Sequence, residues 1–205
     1  MKTDGDIHLS QMIRVYEGAL SSDTCKRIIE LFESDSQGQF RRQRQNSWVE
    51  YIISRNRLEA WHQYEALLLD NMTRYLRDYS EAMECKLFGP NGERAFEHLK
   101  LKKYCARTKN PDHFPKHFDA FDNKTCVRMV GFLWYLNTVD VGGETEFPKL
   151  GRSIIPKAGR LAIFPPMWMF EHVGRPPISN DKYVVTSYLN FRDLEDDYRY
   201  SYPLR

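Results

Sequence analysis

Apolar residues in the first part of the chain recur in steps of three and four. In SSDTCKRIIELFES, Cys25, Ile28, Ile29 and Phe32 fall on one face, and Ser21 or Ser22 is available as an N-cap, which predicts a helix. A second helix is predicted from about residue 58 to 80. There Leu58, Trp61, Tyr64, Leu68, Met72, Tyr75, Leu76 and Tyr79 form a broad stripe that needs a sheet or another helix to cover it. Between the two lies DSQGQFRRQRQNSWVEYIISRNR, an arginine-rich stretch that reads either as a solvated loop or as a lid gripping a substrate. From residue 97 onward the period shortens. EHLKLKKYC, CVRMVGFLWYLN, RSIIP, RLAIFP and KYVVTSYLNF are strand-like runs, separated by the turn signals DVGGE, PKAG and ISND. The expectation is one α+β domain over residues 1–205. Residues 1–85 would give helical support and a substrate loop, and residues 97–192 a β-core closed as a sandwich or barrel.

Composition narrows the partners. With 41% hydrophobic residues the chain has the means for a real core, and a formal net charge of +2 gives no global attraction to nucleic acid or anionic membrane. No run approaches the roughly 18 consecutive apolar residues of a membrane span. The start, MKTDGDIHLSQMI, lacks the apolar core of a signal peptide. Cys25, Cys85, Cys105 and Cys126 are scattered without a C-x-x-C pair, so they read as free thiols in a cytoplasmic setting and give no support to a zinc ribbon.

The chemistry concentrates in HFPKHFDAF, residues 113–121. With six histidines and 28 acidic residues, chance alone supplies roughly one His-x-acid triplet, so His117 and Asp119 gain weight only from a third member. That member is His172, in FPPMWMFEHVGRPP. Two imidazoles and one carboxylate from one β-domain match the facial triad that holds Fe(II) and leaves the opposite positions open. The i, i+2 spacing of His117 and Asp119 suits a strand. His113 is a rival ligand, but it has no carboxylate two residues on. In NDKYVVTSYLNF the alternation puts Lys182, Val184, Thr186, Tyr188 and Asn190 on one face. An inward lysine there would need an anion as partner.

Taken in order, His-x-Asp, an arginine before YLN, GGET-x-F-P, PKAG, His-x-Gly and a lysine ten residues on closely resemble the prolyl 4-hydroxylase-like branch of the Fe(II)/2-oxoglutarate dioxygenases. The likeness covers about residues 97–192, and MIRVYEGALSSDTCKRIIELFE resembles the strand and helix that precede that family's barrel. The resemblance implies a double-stranded β-helix (jelly-roll, cupin-like) core. It implies an enzyme that decarboxylates 2-oxoglutarate to succinate and CO2 while hydroxylating a C–H bond with O2, with ascorbate as reductant and a proline-containing peptide as substrate. His117, Asp119 and His172 would bind Fe(II). Lys182, helped by Thr145 and Tyr104, would hold the distal carboxylate of 2-oxoglutarate. Arg128 and Tyr188 would face the substrate, and RQNSW, with Arg44 and Trp48, resembles the segment that closes over peptide. The chain departs from the family after Tyr104, where CARTKNPDHF is longer than the usual turn and lacks its glycine. An oxygenase of a free amino acid or small metabolite, or a cupin-like metal module without catalysis, are the alternatives; the latter would have no use for Lys182 and Thr145.

Overall fold

The computed structural model describes residues 8–43, 47–55, 58–87, 95–107, 109–191 and 199–201. Among them the order is β1 (Arg14–Tyr16), α1 (Ser22–Ser34), β2 (Gln39–Gln43), β3 (Ser47–Ile52), α2 (Glu59–Ala82), β4 (Ala95–Glu97), β5 (Lys100–Tyr104) and β6 (Phe114–His117), then β7 (Arg128–Tyr135), β8 (Thr145–Phe147), β9 (Arg152–Ile154), β10 (Leu161–Phe164), β11 (His172–Gly174), β12 (Lys182–Asn190) and β13 (Arg199–Ser201). The strands form two sheets. The larger runs β1-β10-β7-β12-β5-β3-β2, with β4 also on β12 and β13 on β4; the smaller runs β6-β11-β8-β9. All ladders are antiparallel. This is the jelly-roll α+β fold that the sequence pattern and resemblance predict.

The two-residue period of a strand decides where the core sits. On the large sheet, Leu101, Phe132, Trp134, Leu161, Ile163 and Val185 turn outward and pack with the helix stripe of Cys25, Ile28, Phe32, Trp61, Leu68, Met72 and Leu76. The residues between them, Tyr104, Tyr135, Ala162, Phe164 and Val184, turn inward and meet Phe147, Ile154 and Phe170 between the two sheets. The helices therefore cover one face of the large sheet, and the small sheet faces the other.

Polar bonds set the helices against this sheet. Ser21 is the N-cap of α1, its Oγ accepting from the Thr24 N–H at 3.0 Å. Asn71 of α2 is buried; its Nδ2 donates to the Ala19 carbonyl at 2.8 Å, and its Oδ1 accepts from Trp134 Nε1 at 2.8 Å. Glu33 of α1 accepts from Lys103 Nζ at 2.8 Å and from the Tyr183 hydroxyl at 2.7 Å. No helix among the described residues is long and apolar enough to cross a membrane.

The arginine-rich stretch differs from the loop its composition predicts. Gln39–Gln43 and Ser47–Ile52 pair as a hairpin, and Val49 to Ile52 continue the large sheet along Lys103 to Lys100. Propensity favours this: Trp48, Val49, Tyr51 and Ile52 are strand formers, and Tyr51 is fully buried against Phe32 and Trp61. The N-terminal 85 residues thus contribute three strands as well as helices. Arg44 and the rest of 44–46 lie outside the described residues.

Asn71→Leu should lower stability by about 2–4 kcal/mol, because it leaves the Trp134 indole N–H and the Ala19 carbonyl buried without partners. A fall in the denaturant midpoint at unchanged slope is the expected outcome. An unchanged midpoint would show that the amide bridge contributes nothing net.

Candidate active site

The small sheet brings the triad together. β6 and β11 pair with His117 opposite His172, and their ring centroids are 4.3 Å apart. Asp119 follows β6 by two residues, and its N–H and that of Ala120 both donate to the Pro166 carbonyl at 3.0 Å, which brings this turn up to the strand pair. The Nε2 of His117 lies 3.2 Å from one Asp119 oxygen, and that of His172 lies 3.7 Å from the other. One ligand atom from each of the three residues lies within 4.8 Å of the others. His113 is not part of this cluster; its Nδ1 contacts the Pro111 carbonyl.

The protonation of this cluster follows from its hydrogen bonds. His117 Nδ1 is 2.8 Å from the Pro115 carbonyl and His172 Nδ1 is 3.0 Å from that of Phe170. A carbonyl only accepts, so each Nδ1 carries a proton, and it is Nε2 of each ring that faces the cluster and is placed to ligate. Burial pushes the His172 imidazole down to about 4, against the pull of Asp119, so it is neutral at pH 7. Burial works to raise the Asp119 carboxyl, but the neighbouring imidazoles and Arg128 outweigh it and hold the group well below the usual carboxylate range. With the rings neutral, two Nε2 atoms and an ionised carboxylate oxygen offer three ligand atoms to one cation. That donor set suits Fe(II).

The triad opens on a solvent-open cleft whose wall includes Tyr104, Thr145, Phe164, Lys182, Thr186 and Tyr188. Lys182 is 3% exposed. Its Nζ donates to the Gly143 carbonyl at 2.9 Å and sits 4.8 Å from the centroid of the Tyr104 ring, directly across the ladder. An ammonium has three donors, so others remain for a ligand. Burial pushes Lys182 down to about 7, partly offset by the charge of Glu144 and reinforced by Lys102. Gly143 reaches the lysine because its φ is +76°, a conformation that L side chains rarely adopt. Gly174 keeps the floor open, since a Cβ there would stand 3.2 Å from Phe114 Cβ and 3.7 Å from Lys182 Nζ. The Thr145 hydroxyl is set by the Tyr135 hydroxyl at 2.7 Å.

Tyr104 lies in the wall although the turn after it departs from the family pattern. Asp112 closes that turn: its carboxylate accepts from the Cys105 N–H at 3.0 Å, and its own N–H donates to the Cys105 carbonyl at 3.2 Å. Asn110, at φ +54°, takes the left-handed conformation that a glycine would otherwise supply. Arg128 is bound on every side. Its Nε and Nη2 pair with the two Glu97 oxygens at 2.6 and 2.8 Å, its Nη1 donates to the Asp119 carbonyl at 2.8 Å, and its guanidinium lies 3.9 Å from the Tyr188 ring centroid. Trp48 packs at a tilt against Phe114, with ring centroids 4.6 Å apart, and near Tyr104 at 6.3 Å, and its Nε1 donates to Glu50 at 3.1 Å.

Sequence reasoning overlooked Glu97, the partner that holds Arg128, and Lys102, which also lines the cleft. For Lys102 the signal was present: in KLKKY, alternation puts Lys102 on the same face as Tyr104.

Residues 100–190 match the sequence profile of the 2OG-Fe(II) oxygenase superfamily. Among curated proteins no sequence match is found. The fold is similar to that of the viral collagen prolyl hydroxylase from Paramecium bursaria Chlorella virus-1 in its 2OG complex, with a TM-score of 0.65 at 17% identity over 91% of this chain and 99% of that one. It is also similar to a Pseudomonas putida prolyl-4-hydroxylase, with a TM-score of 0.64 at 19% identity over 89% of this chain and 94% of that one. A Trichoplax adhaerens prolyl hydroxylase, solved with a hypoxia inducible factor oxygen degradation domain peptide fragment, gives 0.64 at 14% identity, covering 88% and 84%.

Replacing His117, Asp119 or His172 by alanine should remove stoichiometric binding of Fe(II) or Mn(II) in a calorimetric titration while leaving cooperative unfolding in place. His113→Ala should bind the metal as the unaltered protein does. The reverse pattern, with His113 required and His117 dispensable, would reassign the ligands.

Proposed function

We propose that this chain, whose residues 100–190 match the 2OG-Fe(II) oxygenase superfamily profile, is such an oxygenase and hydroxylates a prolyl residue within a peptide, with His117, Asp119 and His172 holding Fe(II). The observation that carries the reading is Lys182, a buried ammonium with donors to spare in the same cleft as the triad. A zinc hydrolase or a metal-storing cupin has no use for it. The prolyl substrate is supported by the fold's likeness to three prolyl hydroxylases, one of them solved with a peptide fragment. When bound, iron with 2-oxoglutarate and O2 supplies the oxidising chemistry: one oxygen atom goes to the substrate C–H bond and one to succinate, with CO2 released. Ascorbate would serve as reductant for iron that oxidises off-cycle.

The chain's own residues bind, orient and enclose. Lys182 neutralises the distal carboxylate, and the Thr145 hydroxyl and Tyr104 phenol stand beside it as donors. Burial raises the Tyr104 and Tyr188 phenols well above their ordinary value, so both keep their protons. Arg128 holds the main chain of Asp119, and the flat face of its guanidinium carries Tyr188 at the wall of the cleft. Trp48 and Phe114 pack together beside His117 as an aromatic surface on which a pyrrolidine ring can lie. The β2–β3 hairpin, which includes Trp48 and leads to Arg44, closes that side against water.

The decisive assay is succinate formation with a panel of proline-containing peptides, set against free proline and no added substrate. Peptide-dependent succinate is the expected result; brisk turnover of free proline with no response to peptides would favour the small-molecule oxygenase. Lys182→Ala should raise the 2-oxoglutarate requirement by a factor corresponding to about 2–5 kcal/mol, the usual cost of losing a charge-assisted contact to a desolvated carboxylate. The depressed Lys182 also sets a pH dependence. Its ammonium in the free protein is lost as pH rises through about 7, and a carboxylate needs it protonated, so binding takes up a proton. Affinity for N-oxalylglycine, an inert 2-oxoglutarate analogue, should therefore weaken above pH 7, by up to about tenfold per unit. Lys182→Arg should flatten that slope.

A further inference from the structure

The cleft holds a second lysine to which the reading above gives no task. Lys102 lines it together with Lys182, the triad and Tyr188. The ladder puts Lys182 opposite Tyr104 and Val184 opposite Lys102, so Lys102 stands one inward pair further along β12, towards Tyr188. A step of two residues along a strand is about 7 Å. Lys102 is half-buried and has no hydrogen bond or ion pair among the described residues; the Phe114 ring, 5.2 Å from Nζ, is its one charge-bearing contact there. The acid opposite it on the β3–β5 ladder is Glu50, but that carboxylate is already taken by Arg42 at 2.9 Å and Trp48 Nε1 at 3.1 Å. Burial lowers the Lys102 ammonium, with Glu50 and Asp119 pulling the other way, so an anion beside it would be strongly favoured.

Charge balance says which anion. Iron(II), ionised Asp119, the two carboxylates of 2-oxoglutarate and the Lys182 ammonium sum to zero without Lys102. Glu50 and Arg42 cancel likewise. Arg128 and Glu97 cancel as well, and Lys100, further along the same face of β5, does not line the cleft; among the residues that do, what remains is one uncompensated cation, on the wall that runs from the co-substrate's end towards Tyr188. We propose that Lys102 binds a carboxylate of the primary substrate, so that the molecule hydroxylated is an acid. That carboxylate is either an acidic side chain next to the target residue in a peptide or the α-carboxylate of a terminal or free residue. The proposal rests on the oxygenase reading for its charge balance, but not on proline as the residue hydroxylated.

The test measures binding rather than turnover, on protein loaded with Mn(II) and N-oxalylglycine. Matched probes are titrated calorimetrically: N-acetylproline against N-acetylprolinamide, the corresponding leucine pair, and a capped glutamyl-proline peptide against its glutaminyl counterpart. At least one acid should bind about tenfold or more tightly than its amide, in line with one charged hydrogen bond. That preference should collapse to within about twofold in Lys102→Met and persist in Lys102→Arg, with N-oxalylglycine affinity undiminished in both variants; in Lys102→Met the loss of a neighbouring cation favours the Lys182 ammonium. Which pair responds separates the sources of the carboxylate. A response confined to the leucine pair would overturn the prolyl reading and leave this one standing. No preference for any acid, absence of binding by all of them, or a preference that survives Lys102→Met would overturn the proposal. So would a loss of N-oxalylglycine affinity in Lys102→Met, which would make Lys102 a residue of the co-substrate site.

Discussion

Both faces of the large sheet are spoken for, and the rest of the molecule follows from that. A strand sends alternate side chains to opposite faces, so each central strand has to satisfy two environments at once. Outward, Leu101, Phe132, Trp134 and Val185 meet the helices in a close-packed layer. Inward, the same strands carry Lys102, Tyr104, Leu133, Lys182, Val184, Thr186 and Tyr188, a set too polar to collapse and too apolar to be open to bulk water. Had the inward positions been aliphatic, two sheets of this size would have closed on a dry core. The polar residues hold the sheets apart at the one place where a ligand can satisfy them.

Those inward charges are costly, and their arrangement shows how the cost is met. Glu97 is buried with both oxygens on Arg128, and Glu50 is buried with Arg42 and Trp48 as donors. Removing one partner of such a pair is far more damaging than the pair's net worth, because the other is left charged in a low-dielectric setting. Lys182 and the triad are left with donors or lone pairs unspent. The distinction between satisfied and unsatisfied buried charge separates what holds the sheets in place from what awaits a metal or an anion. Arg128 belongs to the first group by its contacts with Glu97 and Asp119, and it borders the second through Tyr188.

Period and order made much of this legible. The 3.6-residue stripe from Trp61 to Tyr79 marked α2, and alternation in β12 put Lys182, Thr186 and Tyr188 on one face. The spacing of His117 and Asp119 suggested a strand carrying both, but β6 stops at His117 and Asp119 is placed by the turn that follows it. What stayed hidden was set by neighbours distant in the chain. The hairpin from Gln39 to Ile52 looked like a loop because its arginines and glutamines dominate a local reading. Its strand character comes from the edge of β5, about 50 residues on, which offers unpaired backbone to Val49 and Ile52. The missing glycine after Tyr104 looked like a break in the pattern, yet Asn110 supplies the same backbone conformation and Asp112 the closing bonds. Glu97 carried no motif at all. Only its burial beneath Arg128 makes it visible.

The hairpin also bears on how water is kept from the site. A lid excludes water by closing, which requires that it be free to open. Strand β3 is fixed by its ladder to β5, by Tyr51 buried between Phe32 and Trp61, and by Trp48 on Phe114. Arg41 of β2 adds an ion pair at 2.7 Å to Asp112, whose carboxylate in turn closes the turn ahead of β6. Opening this part of the hairpin would expose several fully buried aromatic rings and a buried carboxylate, so it acts as a standing wall. It follows that this side of the cleft is walled before any ligand arrives. On the proposal that Lys102 takes a substrate carboxylate, selection rests on a group fixed in the wall of the cleft rather than on a lid that closes.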